Sequence, residues 1–297
     1  MAFFVCWSFS RLLIFLIPGD PVDILMDELG GSFSEAALRE ALDLNRSVLS
    51  RLGHGTWNFF SGQWGTSLLK RTSVSSLILS RLGSTAVMAV AGFFAALLLS
   101  LLLASLPFFF ENPSWRRRIA AAVDAFTRLT GPIPFPALAL ILIVIFSFRL
   151  GWADLGDSIA LPALALAFHF APTWTRLTSA QLAETGTRMT PYQGAWAAAR
   201  VRGLPKWRVI VRHLLWPSVG PLAVFWGQQL GGLLGGTFLV EVIFHRPGLG
   251  TLLIDAVYAR DFPVIETVLG LAIAFSFCGM WLGRSIRTVL YPERATS

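Results

Sequence analysis

The chain reads as an all-α integral membrane protein with about six transmembrane helices, and three observations carry that reading. Its 297 residues are 55% hydrophobic and only 14% charged, a composition outside the range of soluble domains. Several apolar runs reach the ~20 residues that a helix needs to cross a bilayer. The cations responsible for the net charge of +7 sit in short clusters at the ends of those runs: Arg116-Arg117-Arg118, Arg200 to Arg212, and Arg284 with Arg287. Basic loops are retained on the cytoplasmic side. Topology and lipid headgroups therefore account for the positive charge more simply than nucleic acid does.

In chain order, residues 1–18 form a first helix, whose apolar run 3–17 is short, carries Arg11 and ends at Pro18-Gly19-Asp20-Pro21. That run lacks a basic flank and a small-residue cleavage site, so it reads as a shortened span rather than a signal peptide. Residues 19–82 are the most polar part and are expected on the periplasmic face. They hold an amphipathic helix over Ser34 to Leu42 and a turn-rich Gly62-Gln63-Trp64-Gly65-Thr66-Ser67.

Residues 83–297 make the core. A second span covers 85–106 and leads to the triple-arginine loop. A third apolar segment, 119–148, is too long for one straight helix at about 1.5 Å per residue. Asp124 and Arg128 are spaced to pair on one helix face, and Gly131-Pro132-Ile133-Pro134-Phe135-Pro136 breaks the segment. Backbone groups freed by proline need protein or water partners, so the break faces protein or a cavity. The fourth span, 159–177, carries His169, Pro172 and Arg176. Ionisable residues at that depth either mark a translocation path or, near a helix end, snorkel to headgroups.

The fifth span, 217–240, contains Gly227, Gly231, Gly232, Gly235 and Gly236, small residues that let helices approach closely in lipid. A loop over 241–263 precedes a sixth span, 264–282, and both termini fall inside. Cys6 and Cys278 lie in apolar segments and read as small buried hydrophobes without a disulfide framework. No internal repeat is visible.

Between the fourth and fifth spans lies a basic cytoplasmic loop, 184–216. An alanine-rich helical run there stops at Gly203, where a left-handed turn costs little, and Leu204-Pro205 restarts a helix. The order Ala197-Ala198-Ala199, Arg200, Arg202, Gly203, Leu204, then Arg208-Val209-Ile210 and His213 resembles the coupling loop of ABC-importer permeases, in the form of the dipeptide/oligopeptide/nickel branch. Three further stretches resemble that branch: Ile17-Pro18-Gly19-Asp20-Pro21, Gly62 to Ser67, and Glu241-Val242-Ile243-Phe244-His245-Arg246-Pro247-Gly248-Leu249-Gly250 continued by Arg260-Asp261-Phe262-Pro263.

The resemblance implies a MetI-like transmembrane domain in a bacterial inner membrane. It also implies a second homologous permease, two ATP-binding cassette subunits that use the ATP, and a periplasmic solute-binding protein. The cargo it implies is short peptides, or nickel or another metal chelate. Ala197, Ala198, Ala199, Arg200, Arg202, Gly203, Leu204 and Arg208 would then meet the ATPase. Glu241, Pro247, Gly248, Gly250 and Asp261 would form a periplasmic gate or loop. By their residues alone, the Pro-Gly-Leu-Gly stretch is equally a tight turn, and Glu241 is equally an interfacial carboxylate or a partner of Arg246.

The sequence contains no Walker loop and no catalytic serine or cysteine constellation, so no catalytic or cofactor-binding residue is assigned and the chain is expected to lack its own ATPase site. The four histidines fall in separate segments without metal-ligand spacing, which argues against a metal site. A stand-alone secondary transporter or channel is the rival reading. It would need acidic or broken-helix ion sites at mid-membrane, whereas Asp124, Glu241 and Glu266 all lie near span ends.

Overall fold

The computed structural model describes residues 4–8, 22, 26, 34–41, 44–45, 47–152, 158–188 and 203–290. Residues 4–8 are helical, and Trp7 anchors them by donating to Thr56 Oγ1 at 3.1 Å and stacking 4.6 Å from Phe59. The rest of the first span, with Pro18-Gly19-Asp20-Pro21, lies outside the described residues.

Ten elements follow: α1 (Glu35–Ala41), α2 (Val48–Ser61), α3 (Val74–Ser105, prolonged by a 3₁₀ turn Leu106–Phe109), α4 (Pro113–Thr130), α5 (Phe135–Leu142, continuing as a π-helix Ile143–Arg149), α6 (Ala160–Arg188), α7 (Lys206–Val209, continuing as a π-helix Ile210–Leu215), α8 (Trp216–Ile243), α9 (Leu249–Tyr258) and α10 (Phe262–Leu290). Among the described residues, three stretches are long and apolar enough to span a membrane: Val74–Phe109, Lys206–Ile243 and Phe262–Leu290. The pair α4 and α5 adds a fourth if counted as one bent span.

Several expected boundaries move. The second span begins at Val74, not at residue 85, because Ser73 caps it by accepting from Ser76 N. The expected periplasmic segment therefore gives its last nine residues, 74–82, to this helix. The third segment turns by 106° between Thr130 and Phe135. The Gly-Pro-Ile-Pro stretch thus separates two helices of different character, a polar, largely exposed α4 and an apolar α5. The 241–263 loop contains a helix of its own, α9.

The fourth span runs on to Arg188 but is not among the helices apolar enough to qualify as spans by composition. Its polar residues are tolerated because its inner face is enclosed. Leu166, Phe170, Trp174 and Leu182 are buried against α3, α5 and α8. Pro172, mid-helix, is itself buried. Neither cysteine is buried as expected: Cys6 and Cys278 are both exposed, on outward helix faces where a small hydrophobe is equally at home. Asp124 and Arg128 do pair, at 2.8 Å on an exposed face, where such a bridge adds little stability.

Candidate functional site

The motif residues gather at the two ends of the long helices. At one end, α8 stops at Phe244 and His245 takes φ 52°. His245 N donates to Val242 O at 3.3 Å and Arg246 N to Glu241 O at 2.8 Å, the paired bonds of a left-handed helix stop. The same closure recurs at Arg260 (φ 51°), with Asp261 N donating to Ala256 O at 2.8 Å. Two non-glycine residues thus hold a conformation that costs roughly 1–2 kcal/mol each, and this fixes the chain on either side of α9.

Glu241 is fully buried beneath this turn. Its carboxylate accepts from Thr85 Oγ1 at 2.6 Å and from Gly250 N at 2.6 Å. Thr85 Oγ1 in turn accepts from Leu249 N at 2.8 Å, and Gly248 N donates to Thr251 Oγ1 at 3.0 Å. One acidic side chain therefore ties α3, α8 and the first turn of α9 together, supplying partners to backbone N–H groups that the helix start leaves open. The water-exposed interfacial carboxylate and the Arg246 partnership both give way to this arrangement. Arg246 Nη1 donates instead to Ser158 O at 3.2 Å, ahead of α6.

The glycines here answer to room, not to backbone angle. Gly248 is at φ −163°, extended backbone open to any residue, yet a Cβ on it would lie 2.1 Å from Glu241 Cδ. A Cβ on Gly250 would lie 2.4 Å from Phe238 Cα. Pro247 is exposed beside them.

Asp261 makes the second junction. It is 3% exposed, and its carboxylate accepts from Ser67 Oγ, from Leu68 N at 3.1 Å and from Leu69 N at 3.4 Å. Ser67 Oγ also accepts from Lys70 N at 2.9 Å. The Gly62-to-Ser67 stretch and Asp261, 194 positions from Ser67, are thus one unit that seats the loop before α3 on the end of α10. Asp261→Ala leaves two buried donors, Ser67 Oγ and Leu68 N, unpaired at about 1–3 kcal/mol for each, and frees the part-buried Leu69 N as well. The expected outcome is a lower thermal midpoint for the purified chain and protease cleavage in the loop 62–73, with Asp261→Asn falling between variant and parent.

Three of the glycines expected in the fifth span make close contacts. A Cβ on Gly227 would lie 2.4 Å from Gly279 O, one on Gly231 2.4 Å from Ser276 Oγ, and one on Gly236 3.2 Å from Leu166 Cδ2. Gly235 faces open space and Gly232 nearly so. The partners on α10, Gly279 and Gly283, were not singled out in the sequence. Their four-residue spacing, matching Gly227 and Gly231, is the signal that could have found them. Thr85 carried no such signal: it is a lone threonine at the head of an apolar run.

At the other end, Gly203 adopts φ +67° with nothing within 4 Å of the Cβ it lacks. Pro205 then caps α7, and Lys206 Nζ lies 3.2 Å from Glu111 Oε1, on the turn between α3 and α4. Leu204 is half-buried and Arg208 exposed. Ala197, Ala198, Ala199, Arg200 and Arg202 lie outside the described residues. Val209, Ile210 and Leu214 face inward, and Leu214 packs on Ala104 and Leu182. The segment that follows the Gly203 turn is therefore packed on α3 and α6 and runs on into α8.

His169 is half-buried between aromatic rings, 5.2 Å from Phe135 and 5.0 Å from Phe170. Arg176 is exposed and lines a crevice between α4 and α6 with Asp124, Thr175 and Ser179.

Residues 96–292 match the family model described as binding-protein-dependent transport system inner membrane component. Among curated proteins, the glutathione transport system permease protein GsiC of Salmonella choleraesuis (strain SC-B67) is 31% identical over 262 residues, covering 86% of this chain and 82% of that protein. GsiC of Escherichia coli (strain K12) is 29% identical over the same coverage. Among solved structures, an inward-facing form of the MetNI methionine ABC transporter aligns with a TM-score of 0.58 at 21% identity, over 72% of this chain and 96% of that one. The fold, the paired junctions at one end and the glycine-broken basic loop at the other all belong together in that setting: the chain is a member of the binding-protein-dependent inner-membrane permease family of ABC importers, with a MetI-like transmembrane domain.

Proposed function

We propose that the chain forms half of the translocation path of an ATP-driven importer for short peptides and is moved by ATPase subunits through the loop around Gly203. The observation that carries this is the geometry of that loop. A left-handed Gly203 and a Pro205-capped helix stand exposed, while Lys206 and Leu214 connect them to α3, α6 and α8. The reading includes a bacterial inner-membrane location, a second permease as the other half of the path, two ATP-hydrolysing subunits at this loop, and a periplasmic binding protein at the end bearing Glu241 and Asp261. Glutathione, in the name of the curated relatives, is itself a peptide and supports peptides over a nickel chelate. Pro247, Gly248 and Gly250 then act as a rigid periplasmic rim, held by Glu241.

The test is Gly203→Val in the assembled transporter. A β-branched side chain at positive φ costs about 1–3 kcal/mol, and here the cost is conformational, since no neighbour crowds the position. Insertion should persist, while ATPase activity no longer responds to loaded binding protein. Ala199→Asp should act alike by placing an unpaired charge in a protein contact. Normal transport by both variants would show that the loop is not the ATPase contact.

A further inference from the structure

We propose that the outward face of α7 and its π-helical continuation binds the headgroup of an anionic phospholipid, so that Arg208 faces lipid and the exposed Gly203 turn ahead of it is left for the ATPase contact. The inference rests on the membrane placement of α8. The uninterrupted stretch Lys206–Ile243 has 38 residues, about 57 Å at 1.5 Å per residue, against a hydrocarbon core of about 30 Å. Its first ten residues, Lys206 to Leu215, carry Lys206, Arg208 and Arg212, whereas no charged residue lies between Trp216 and Val240, so it is this end that reaches the boundary between hydrocarbon and water. There the helix is two-sided. Val209, Ile210 and Leu214 are buried, whereas Trp207, Arg208, Val211, Arg212 and Trp216 are exposed and line one groove of about 590 Å³.

The groove's chemistry selects its occupant. Two guanidinium groups and no carboxylate line it, with the Arg208 guanidinium 5.3 Å from the centre of the Trp207 ring. Trp207 and Trp216 are 55% and 62% exposed, at the depth where tryptophan rings rest among headgroups. Arginines beside them supply the fixed donors that a phosphodiester accepts from. The neighbouring turn repeats the pairing: Trp115 is exposed, with the Arg118 guanidinium 5.5 Å from its ring centre, and the Lys206–Glu111 contact holds that turn to this end of the molecule. Clustered juxtamembrane cations recognise anionic lipid in this way.

The experiment takes the full chain, delipidated in mild detergent, and adds dioleoylphosphatidylglycerol or dioleoylphosphatidylcholine before native mass spectrometry. The parent should retain the anionic phosphatidylglycerol preferentially. Arg208→Gln with Arg212→Gln should reduce that preference by about five-fold for each arginine removed, and Arg208→Lys with Arg212→Lys should keep most of it. Arg149→Gln, at the opposite end of the helices, should change nothing. Thermal midpoints equal to the parent's would exclude misfolding, because both arginines are exposed. No preference in the parent, or an undiminished preference in the glutamine variant, overturns the proposal. Loss of co-purifying ATPase subunits with the lipid preference intact overturns it too, and assigns the face to protein.

Discussion

Glu241→Leu is expected to remove most of the folded chain from the membrane. The carboxylate is fully buried and accepts from Thr85 Oγ1 and Gly250 N, so leucine strands two donors in an apolar setting at about 1–3 kcal/mol each. It also loses the join between α3, α8 and the start of α9, where Gly248 and Gly250 leave no space for a repacked side chain. Against a total stability of roughly 5–15 kcal/mol, that loss shows as low abundance and a depressed thermal midpoint in detergent. Glu241→Gln keeps one acceptor oxygen of the same shape and should restore much of both. A leucine variant as abundant and heat-resistant as the parent would mean that the junction contributes nothing to the fold. A gate built on titration or movement of Glu241 predicts the reverse ranking, with little effect on abundance and a large effect on transport.

How much of this was legible in the sequence depended on whether a feature is local. The left-handed Gly203 and the Asp124–Arg128 pair follow from spacing along one helix, and the structure has both where the spacing puts them, whereas the apolar runs are helical with shifted boundaries. The start of α3 was hidden because Ser73 to Arg81 is polar enough to read as loop, yet a serine cap and burial of Val74 and Ile78 make it helix. The size of the turn at Gly131 to Pro136 was hidden as well, since proline marks a break without setting its angle. Least legible were the junctions between distant segments. Glu241 and Asp261 stood out as motif residues, but nothing local says that a carboxylate will receive a hydroxyl 156 or 194 positions away. Those contacts arise only when the helices pack, and they bury two carboxylates that the sequence alone leaves open to water.

Gly227→Leu is expected to separate α8 from α10, while Gly235→Leu, eight residues along the same helix, is expected to be tolerated. At Gly227 a Cβ alone would lie 2.4 Å from Gly279 O and 3.0 Å from Gly283 Cα. These are backbone atoms, which cannot rotate away as a side-chain tip does. The contact is reciprocal, since a Cβ on Gly279 would lie 2.8 Å from Gly227 O and one on Gly283 2.5 Å from Ala223 O. Overpacking of a tight interior ordinarily costs about 1–3 kcal/mol, and a contact with no side chain able to give falls at or above the top of that range. In lipid, such close approach is itself a main source of helix association, so the substitution removes the attraction as well as adding the clash. At Gly235 no atom stands within 4 Å, and leucine there would only extend an apolar face. Cysteines placed across the α8–α10 contact report the result: cross-linking should fall sharply in Gly227→Leu and match the parent in Gly235→Leu. Equal cross-linking in both variants would show that the two helices do not meet through these glycines.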